Sequence, residues 1–509
     1  MPLLNRRLFL GTGLAAAAIW PSLGSARAQT FDTDPFTLGV ASGCPTPDGV
    51  ILWTRLAFPV EAVPLADPFA PIPEVAIPPM DVFWEVAEDE SFSRPVRSGI
   101  YRAVQKWGHS VHVAVTGLEA DRWYFYRFRC GNAESGVGRT RTAPAADAAN
   151  ERFTFAFASC QQYEQGYYSA YRDMAQRDLD LVVHLGDYIY EVSYGSHLVR
   201  RHGNGWPPTL LSEYRDRHAQ YKSDPDLQAA HASFPWLAVW DDHEVINNYA
   251  DDDAPNVIGG EKFLRQRAAA YQAWYEHMPV PPIAGRDFSN FTIYGRHGFG
   301  RLLDIAMLDT RQYRSAPLEG SDDAPERTML GDAQEAWFDA TLEASRAKWT
   351  VIAQQTLLSE RDTKAGDATG YNLDGWDGYR SARTRLLDSV RASGAANPLV
   401  IGGDLHAFYA ADVKEDFENP DSFTLATEFV TGSITSDGPS EASIATALAE
   451  NPHLKFASSR EHGYSILSLS PKLAQADFIA VSDRKDPNAS AAIFQSFAVL
   501  DGMAGVNRL

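Results

Sequence analysis

Polar residues able to bind metal or move protons follow five short apolar segments of the chain. The first three groups are Ser159-Cys160, Gly186-Asp187 and Asp241-Asp242-His243, and the last two are Gln354-Gln355 and Gly403-Asp404-Leu405-His406. Parallel strands of an α/β sheet bind ligands beyond their carboxyl ends, so residues in these positions converge. Carboxylates, imidazoles and a thiol are metal ligands of mixed hardness. The five groups together predict one composite metal site.

The segments that must position these residues predict an α/β domain that starts near Arg152. Apolar strands are predicted at residues 153–159, 180–185 and 237–240, and further strands at 301–308, 349–354 and 399–402. Helical patterns lie among them at 167–178, 261–277 and 332–347. Strands that alternate with helices are typical of a parallel sheet with helices on its faces.

Residues 31–145 have a different pattern. Short runs at 36–40, 50–54, 81–88, 110–116 and 123–130 predict β-strands, and their spacing is typical of an immunoglobulin or fibronectin sandwich. An alanine-rich stretch with Pro144 reads as the linker that follows. We therefore divide the chain into a signal at 1–28, a β-sandwich at 29–148 and an α/β (α+β) catalytic domain at 149–509.

The first 28 residues are typical of an export signal. Arg6-Arg7 precedes Leu8-Phe9-Leu10 and an apolar run, and Ala26-Arg27-Ala28 offers a small-residue cleavage site. The pattern Arg-Arg-x-Phe-Leu resembles the twin-arginine signal, whose translocase exports folded proteins. The run is too short to span a bilayer comfortably, and an N-terminal helix or anchor is the alternative. We expect a periplasmic or secreted protein that engages the twin-arginine translocase during export.

Composition narrows the function classes further. The 509 residues are 45% hydrophobic and 22% charged, which is ordinary for a globular protein. A formal net charge of −21 repels polyanions, so binding to a nucleic-acid backbone is not expected. In an oxidising compartment Cys44 and Cys130 could pair, which would leave Cys160 as a free thiol. That thiol is either a ligand or a buried core residue.

The motifs look like those of the metallophosphoesterase superfamily, and most closely resemble PhoD-type alkaline phosphatases/phosphodiesterases and their phospholipase D-like relatives. The stretches that carry the resemblance are Ser159-Cys160, Gly186-Asp187-x-x-Tyr190, Asp241-Asp242-His243-Glu244 and Gly403-Asp404-x-His406. The resemblance covers nearly the whole chain after the signal. It implies a metallophosphoesterase-type αββα sandwich behind the N-terminal β-sandwich.

The sequence departs from the general superfamily pattern at the metal ligands. Cys160 stands where the first strand usually has an acid, Asp242 replaces an asparagine, and Asp404 replaces a histidine. Gln354 or Gln355 stands where another histidine is usual. The loss of imidazoles and the gain of oxygen donors favour a hard cation such as Ca²⁺ over a two-zinc site.

The resemblance implies two kinds of cation in one site. Fe³⁺ would be held by Cys160, Asp187, Tyr190 and His406. One or two Ca²⁺ ions would share Asp187 and use Asp242, Asp404 and, with less support, Gln354.

The resemblance also assigns His243 a catalytic role, as the residue that contacts the phosphate and stabilises the transition state. Its alternative is a hydrogen-bonded core histidine. Asn247 is a candidate substrate contact, and Arg311 either contacts substrate or forms a structural ion pair. We expect metal-bound hydroxide to attack directly, without a phosphoenzyme. His184, His218, His231 and His277 are expected to be structural.

The implied function is hydrolysis of small phosphate monoesters and diesters for phosphate scavenging. The alternative within the fold is a phospholipase D-like enzyme that acts on lipid head groups, for which the apolar, proline-rich loop 56–79 is weak support. An alternative of another class is a non-catalytic binding protein of the cell envelope, for which replacing Asp187 would have no functional effect.

Overall fold

The computed structural model describes residues 30–58, 77–203, 205–254, 260–283, 285, 287–317 and 323–509. The predicted signal at 1–28 and the central part of loop 56–79 lie outside the described residues. Among the residues described, we find no helix with the length and apolar content needed to cross a membrane.

The N-terminal part of the described chain consists of short strands. These are β1 (Val40–Thr46), β2 (Gly49–Arg55), β3 (Met80–Ala87), β4 (Pro95–Ala103), β5 (Ser110–Thr116), β6 (Trp123–Cys130), β7 (Ala133–Glu134) and β8 (Gly138–Arg141). The strands predicted at 50–54, 81–88, 110–116 and 123–130 are confirmed. The strand predicted at 36–40 is wrong, because the chain turns there, with Gly39 N–H donating to the Phe36 carbonyl at 2.9 Å.

The rest of the described chain alternates strands with helices. The strands are β9 (Phe153–Ala158), β10 (Leu181–His184), β11 (Pro235–Ala238), β12 (Gly295–Phe299), β13 (Leu303–Met307), β14 (Trp349–Ala353), β15 (Pro398–Gly402), β16 (Phe408–Lys414), β17 (Thr424–Val430), β18 (Leu454–Ser458), β19 (Gly463–Leu469), β20 (Leu473–Val481), β21 (Ala491–Leu500) and β22 (Met503–Arg508). The α-helices are α1 (Ser169–Met174), α2 (Leu211–Lys222), α3 (Pro225–Ser233), α4 (Glu261–His277), α5 (Asp332–Ala344), α6 (Arg380–Ser393) and α7 (Glu441–Glu450). Short 3₁₀ helices lie at Gln105–Trp107, Tyr163–Gln165 and Trp376–Gly378. The predicted strands at 153–159, 180–185, 237–240, 301–308, 349–354 and 399–402 are confirmed within a few residues at each end.

Within the described ranges these strands form three sheets. A ten-stranded sheet has the order β22-β21-β20-β19-β9-β10-β11-β1-β2-β5, and a seven-stranded sheet has the order β12-β13-β14-β15-β17-β16-β18. The third sheet is β4-β3-β6-β7, with β8 beside β6. At the centre of the two larger sheets the strands are parallel: β9, β10 and β11 in one, and β13, β14, β15 and β17 in the other. The α/β assignment is therefore confirmed.

A buried cluster joins the two larger sheets. It contains Phe157 and Leu237 from the ten-stranded sheet and Val351 and Ile401 from the seven-stranded sheet. On the opposite face of the ten-stranded sheet, Trp236 belongs to a cluster with residues of α1, α2 and α4, which include Tyr171, Tyr214 and Trp274. On the opposite face of the seven-stranded sheet, Ile352 packs with Phe338 of α5 and Leu386 of α6. The strand ends are thus held by apolar packing on both faces.

The N-terminal strands are continuous with the strands that carry the candidate site. Strand β1 pairs in parallel with β11, with Ser42 opposite Pro235 and Gly43 opposite Trp236. The other face of β1, β2 and β5 packs on β3 and β6 through residues such as Leu52 and Tyr126. Strands β1, β2 and β5 therefore belong to the ten-stranded sheet and also pack on the third sheet.

The three cysteines are free thiols, so the pairing left open for Cys44 and Cys130 is not formed in this structure. Cys44 packs against the cluster between the two larger sheets, whereas Cys130 lies in the N-terminal cluster. The Cys44 and Cys130 thiols therefore lie in different hydrophobic cores. Cys160 is buried at a third place, after the end of β9.

Several histidines are buried in their neutral form. His184, His218, His231 and His277, which were expected to be structural, are all buried, and burial is the main cause that lowers the pKa of each. His453 is also buried, its Nε2 lies 2.7 Å from the Glu360 carbonyl, and burial lowers its pKa to about 4. An unfolded histidine has a pKa of about 6.5. Unfolding therefore binds a proton at His453 when the pH lies between its folded pKa of about 4 and this value. The free energy of unfolding must therefore decrease as the pH falls from about 6.5 to about 4.

His453 provides a test of this linkage at a distance from the candidate site. We expect His453→Gln, which retains a donor for the Glu360 carbonyl, to lose less unfolding free energy than the wild type between pH 7 and pH 5. The difference should be about 2 kcal/mol, because the folded wild type binds almost no proton at His453 in that range. Urea unfolding followed by circular dichroism at the two pH values measures it. His197→Gln, at an exposed histidine, is the control, and an identical pH dependence of His453→Gln and wild type would contradict the prediction.

Candidate metal centre

The carboxyl ends of the parallel strands from both larger sheets meet at one place. Cys160 follows β9, Asp187 follows β10, and Asp242 follows β11 in the ten-stranded sheet. From the seven-stranded sheet, Asp404 and His406 follow β15. Ser159 forms an isolated parallel bridge with Ser433, which follows β17, and so links the two sheets at this edge. The predicted convergence of these four groups thus has a structural basis at the junction of two sheets.

Two glycines permit this close approach. A Cβ on Gly403 would lie only 2.7 Å from Cβ of Ser159, so an alanine would force the ends of β15 and β9 apart. A Cβ on Gly186 would lie 2.7 Å from the Asp241 backbone nitrogen, and Gly186 also has a φ of +109°. Each glycine immediately precedes an acidic residue of the site, which explains the Gly-Asp pattern in the sequence.

Four residues of the site have a left-handed backbone that is uncommon outside glycine. The φ angles are +60° for Cys160, +54° for Asp187, +61° for Asp404 and +52° for His406. Such conformations cost of order 1 kcal/mol each and persist where the surrounding fold imposes them. Each of these residues lies in the loop that follows β9, β10 or β15, and its side chain reaches the candidate centre.

Cys160, Asp187, Tyr190 and His406 form the first half of the candidate centre. Ligand atoms of Cys160, Asp187 and His406 all lie within 4.8 Å of one another. The Tyr190 hydroxyl lies 2.8 Å from Asp187 Oδ2 and 3.0 Å from His406 Nε2. The Nδ1 atom of His406 lies 2.7 Å from the Asp437 carbonyl, which fixes the proton on Nδ1 and leaves Nε2 as the coordinating atom. All four predicted ligands of this half are therefore together.

The chemistry of these groups fits a cation. Burial, followed by the charge of Asp187, raises the pKa of the Cys160 thiol and of the Tyr190 phenol well above their ordinary values. A bound cation would reverse this effect, because it favours the thiolate and the phenolate. The buried oxygens Asp187 Oδ1 and Asp242 Oδ1 have no hydrogen-bond partner in the described structure. Orphaned carboxylate oxygens at the centre of an acidic cluster are what a metal ion would satisfy.

The second half is acidic. Carboxylate oxygens of Asp241, Asp242 and Asp404 lie within 4.8 Å of one another, and Asp187 and Asp242 form a further group with His243. Oxygen-only donors suit Ca²⁺. Asp404 is fixed by the Thr356 hydroxyl, which donates to its Oδ2 at 2.7 Å. Burial and the surrounding acids, offset in part by Arg311, raise the pKa of Asp404 to about 6.

Arg311 lies among these acids. Its Nε donates to Asp241, its Nη1 donates to Asp374 Oδ2 at 2.7 Å, and its Nη2 lies 3.9 Å from both Asp242 Oδ1 and Asp404 Oδ1. The side chain is only 1% exposed. Of the two roles considered for Arg311, the geometry corresponds to the structural ion pair and offers no open face to a substrate.

The side-chain amide of Gln354 is hydrogen-bonded to Thr356 and Trp376. Its Oε1 accepts from Thr356 N–H at 3.0 Å and from Trp376 Nε1–H at 3.1 Å, and its Nε2 donates to the Thr356 carbonyl. Gln355 is similarly bound to Thr310 and Leu308. Both lone pairs of the Gln354 oxygen are thus used, so we leave Gln354 out of the ligand set that follows. Gln354 instead fixes the segment that carries Thr356.

His243 is paired with an acid that the sequence analysis did not single out. Its Nδ1 lies 2.6 Å from Glu191 Oε2, and its ring stacks on Tyr190 at 4.2 Å between centroids. Burial alone would lower the pKa of His243, but the carboxylates of Glu191, Asp242 and Asp187 outweigh burial and raise that pKa well above its ordinary value. Asn247 is exposed at the mouth of the site, and its backbone N–H donates to Glu191 Oε1 at 2.9 Å. The Glu191 carboxylate therefore holds the buried His243 ring in one orientation, with a proton on Nδ1.

Glu244 organises the backbone beneath the ligands. Its carboxylate accepts from the N–H groups of Asp187 at 3.0 Å, Tyr188 at 2.5 Å and Asp241 at 2.8 Å. It ties the loop after β10 to the loop after β11. Burial and the charge of Asp187 raise the pKa of Glu244 to about 8, so this buried carboxyl is sensitive to the charge of the centre.

Sequence reasoning missed the residues that hold the ligands. Glu191 directly follows Tyr190, and Asp241 and Glu244 flank the Asp242-His243 pair, so their position in the motifs was an available signal. Asp374 had no such signal, because it lies in a loop and is recognised only by its contacts with Arg311 and Arg314. The arrangement as a whole can bind cations and present a fixed imidazole beside them, which suits hydrolysis of an anionic ester.

Comparisons with known proteins agree with this geometry. A family model described as PhoD-like phosphatase matches residues 155–478, and one described as PhoD-like phosphatase, N-terminal domain, matches residues 22–144. Alkaline phosphatase D of Bacillus subtilis (strain 168) is 40% identical over 518 residues, which cover 98% of this chain and 87% of that protein. A solved structure described as "Structure of PhoD" matches with a TM-score of 0.87 at 40% identity, over 95% of this chain and 93% of that chain. The matches include the N-terminal strands as well as the site.

The junction of the two sheets can be tested at Gly403. We expect Gly403→Ala to lower the metal content of the purified protein several-fold, because the added Cβ separates Asp404 and His406 from Cys160 and Asp187. Inductively coupled plasma mass spectrometry measures metal per chain. Gly136→Ala is the matched control, since a Cβ there meets nothing within 4 Å. If Gly403→Ala kept the wild-type metal content, the close approach of β15 to β9 would not be required for metal binding.

Proposed function

Since the chain belongs to the PhoD-like phosphatase family and is a phosphoric ester hydrolase, we propose that it is an exported phosphomonoesterase and phosphodiesterase that uses one Fe³⁺ and one or two Ca²⁺ ions. The single observation that carries the metal proposal is the meeting of a thiol, a phenol and an imidazole at Asp187, next to a second group formed by the carboxylates of Asp241, Asp242 and Asp404. Soft and anionic ligands suit iron, and carboxylate oxygens suit calcium.

The ligand sets follow from this division. Fe³⁺ would be held by Cys160, Asp187, Tyr190 and His406. Calcium would share Asp187 and use Asp242 and Asp404, with Asp241 as an additional oxygen donor that the structure brings into the same group. When bound, such cations neutralise the phosphoryl oxygens and lower the pKa of water that attacks the phosphorus.

The chain's own residues would orient and stabilise the reacting ester. Glu191 fixes the His243 ring and raises the pKa of the imidazole, and a protonated Nε2 would donate to a phosphate oxygen as negative charge develops there. We propose direct attack by water, without a phosphoenzyme. The serines of the site support this, because Ser159 Oγ contacts Cys160 Sγ at 3.2 Å and Ser436 Oγ lies 2.8 Å from both the Tyr190 hydroxyl and the Cys160 carbonyl.

For the architecture, we propose a metallophosphoesterase-type αββα sandwich at 149–509 behind an immunoglobulin- or fibronectin-like β-sandwich at 29–148. The two facing sheets with helices on their outer faces support the first assignment. The packing of β1, β2 and β5 on β3 and β6 supports the second.

For location, we propose export through the twin-arginine translocase to the periplasm or the medium, on the Arg6-Arg7 pattern of the N-terminal residues. Folding before export would allow the centre to be loaded with metal inside the cell. Phosphate scavenging from small organic esters is the role that fits such a location.

A phospholipase D-like activity on lipid head groups is a second candidate that one observation favours. The chain between Glu191 and α2 exposes apolar side chains, with Trp206 at 82% and Leu210 at 60% exposure, and Arg217 donates to the carbonyls of both Tyr190 and Trp206. Exposed aromatic and aliphatic side chains at an active-site rim suit contact with a lipid surface.

The iron assignment can be tested by colour. We expect the purified protein to absorb visible light through charge transfer from the Tyr190 phenolate to Fe³⁺, and Tyr190→Phe to bleach it. Cys160→Ala should lose most of the iron. Visible spectra together with metal analysis measure both effects, and Tyr101→Phe, at a tyrosine on β4 of the third sheet, is the control. An active, colourless protein without iron would rule out this part of the proposal.

The substrate class can be tested by direct comparison of rates. We expect hydrolysis of p-nitrophenyl phosphate and bis-p-nitrophenyl phosphate, with phosphatidylcholine vesicles cleaved at least about tenfold more slowly, because the buried cation site fits a small anion. Phosphate and choline release are the readouts. A preference for phosphatidylcholine would establish the second candidate instead.

Two controls accompany that comparison. Asp187→Asn should abolish hydrolysis of every ester, and EGTA should abolish it reversibly, with recovery on addition of Ca²⁺. Absence of ester hydrolysis by the metal-loaded wild type would favour the non-catalytic binding protein, and full activity of Asp187→Asn would remove Asp187 from the catalytic centre.

A further inference from the structure

Four basic side chains are buried around the aromatic ring of Tyr188. They come from β10, α2 and α3, and they are His184, His218, Lys222 and His231, which we call the basic cluster. Each is at most 2% exposed. The Lys222 Nζ atom lies 5.6 Å from the centre of the Tyr188 ring, and the centres of the three imidazole rings lie between 5.1 Å and 6.3 Å from it. The fold thus gathers basic groups from three separate elements at one place in the core.

Several nitrogens of the basic cluster have no hydrogen-bond partner in the described structure. These are His184 Nε2, both ring nitrogens of His218 and His231 Nδ1. The Gly186 N–H donates to His184 Nδ1 at 3.3 Å, so the proton of the neutral His184 ring lies on Nε2. A neutral His218 also has one N–H, whichever of its nitrogens carries the proton. Buried donors are nearly always satisfied in folded proteins, so these N–H groups call for an acceptor.

Lys222 has no acidic partner in the described part of the chain. Within those residues its Nζ makes neither an ion pair nor a hydrogen bond, and it lies 4.2 Å from the centre of the Trp53 ring. Burial, which no acid opposes, lowers the pKa of Lys222 well below its ordinary value. Aromatic faces attract a cation but do not replace a counter-ion, and an unpaired buried ammonium is strongly unfavourable. An anion beside Nζ would restore the charged form.

The electrostatics around the basic cluster favour negative charge. After burial, the charge of Lys222 is the largest cause that lowers the pKa of each of the three histidines. Arg55 and Arg217 add to this effect at His218. No carboxylate is among the causes of these shifts, and among the described residues none of the three histidines belongs to a group able to hold a metal ion. A buried place rich in donors and without an acid attracts an anion and repels a cation.

We propose that the basic cluster binds a small monovalent inorganic anion such as chloride, held by Lys222 and by the N–H groups of His184 and His218. One ammonium balances one negative charge. The walls are closely packed aromatic rings, with His231 stacked on Trp236 at 3.8 Å between centroids, which suits a single halide ion better than a larger oxyanion.

This anion site is separate from the candidate metal centre but adjoins the loop that carries one of its ligands. Tyr188 directly follows Asp187, and its hydroxyl lies 2.8 Å from His231 Nε2. An anion that fixes the basic cluster therefore also fixes the ring of Tyr188. None of the four basic residues takes part in the proposed hydrolysis, so the anion site stands or falls independently of that function.

The first arm of the test uses bromide as the probe, because bromide replaces chloride and has a measurable anomalous signal at its absorption edge. Crystals of the metal-loaded full chain are soaked in sodium bromide. We expect an anomalous peak between Lys222 Nζ and the unpartnered histidine nitrogens. The peak should be absent in Lys222→Met, which keeps the length of the side chain without its charge. Lys262→Met, at an exposed lysine of α4, is the matched control and should keep the peak.

The second arm measures the thermal midpoint of the same three proteins in solution. Sodium chloride replaces sodium gluconate at constant ionic strength. A ligand that binds only the folded chain stabilises it, so we expect the wild-type midpoint to rise by about 2 °C and then to level off as the site fills. Lys262→Met should behave in the same way, and Lys222→Met should show no rise. If Lys222→Met does not fold, His218→Phe takes its place and should reduce the rise.

Every other result contradicts the anion site. Ordered water in place of a bromide peak would assign the unpartnered nitrogens to hydration. A peak without any rise in the midpoint would show binding at crystal concentration only. An equal rise in the wild type, Lys222→Met and His218→Phe would place the effect of chloride elsewhere on the protein, including the metal centre.

Discussion

Mutual repulsion among buried carboxylates is the constraint on which the rest of this structure depends. Asp187, Asp241 and Asp242 are almost fully buried, and Asp374 and Asp404 adjoin them with side chains 11% and 18% exposed. Like charges at such separations cost several kcal/mol in a medium that screens them poorly. Arg311 offsets part of this negative charge. The oxygens of Asp187 and Asp242 that have no hydrogen-bond partner show where negative charge is still uncompensated. Cations bound at the centre would neutralise the remaining negative charge and remove the repulsion among the carboxylates.

The surrounding fold holds the acids in place against this repulsion. Apolar clusters on both faces of the two sheets fix the strands, and left-handed residues immediately after those strands direct the ligands inward. Glu244 then ties two of the loops together through three backbone N–H groups. Rigid strands and hydrogen-bonded loops limit the reorganisation that binding an anionic ester would otherwise require.

The two sides of the centre carry different types of ligand. On one side of Asp187 lie the thiol, the phenol and the imidazole, and on the other lie carboxylates with Arg311. His243 stands at the edge of this division, oriented by Glu191 from within and contacted by Tyr194 from the surface. A chain of net charge −21 can accept an anionic ester only if the local potential at its site is positive, which makes the cations necessary partners.

The sequence by itself determined the type of each central strand, the family, and the residues that meet at Asp187. Apolar runs ending in Gly-Asp, Asp-Asp-His or Ser-Cys are local patterns, and both strand ends and chemical character are local properties. The tertiary structure decided the rest: that β1 extends the catalytic sheet, that Gln354 is bound to Trp376, that Arg311 is surrounded by acids, and that Glu191 and Asp374 support the centre. These depend on side-chain direction and on contacts between residues 22 or more positions apart, such as Gln354 with Trp376 and Arg311 with Asp374. No local pattern encodes such pairs, because their energy arises only when two sheets bring separate loops to one point.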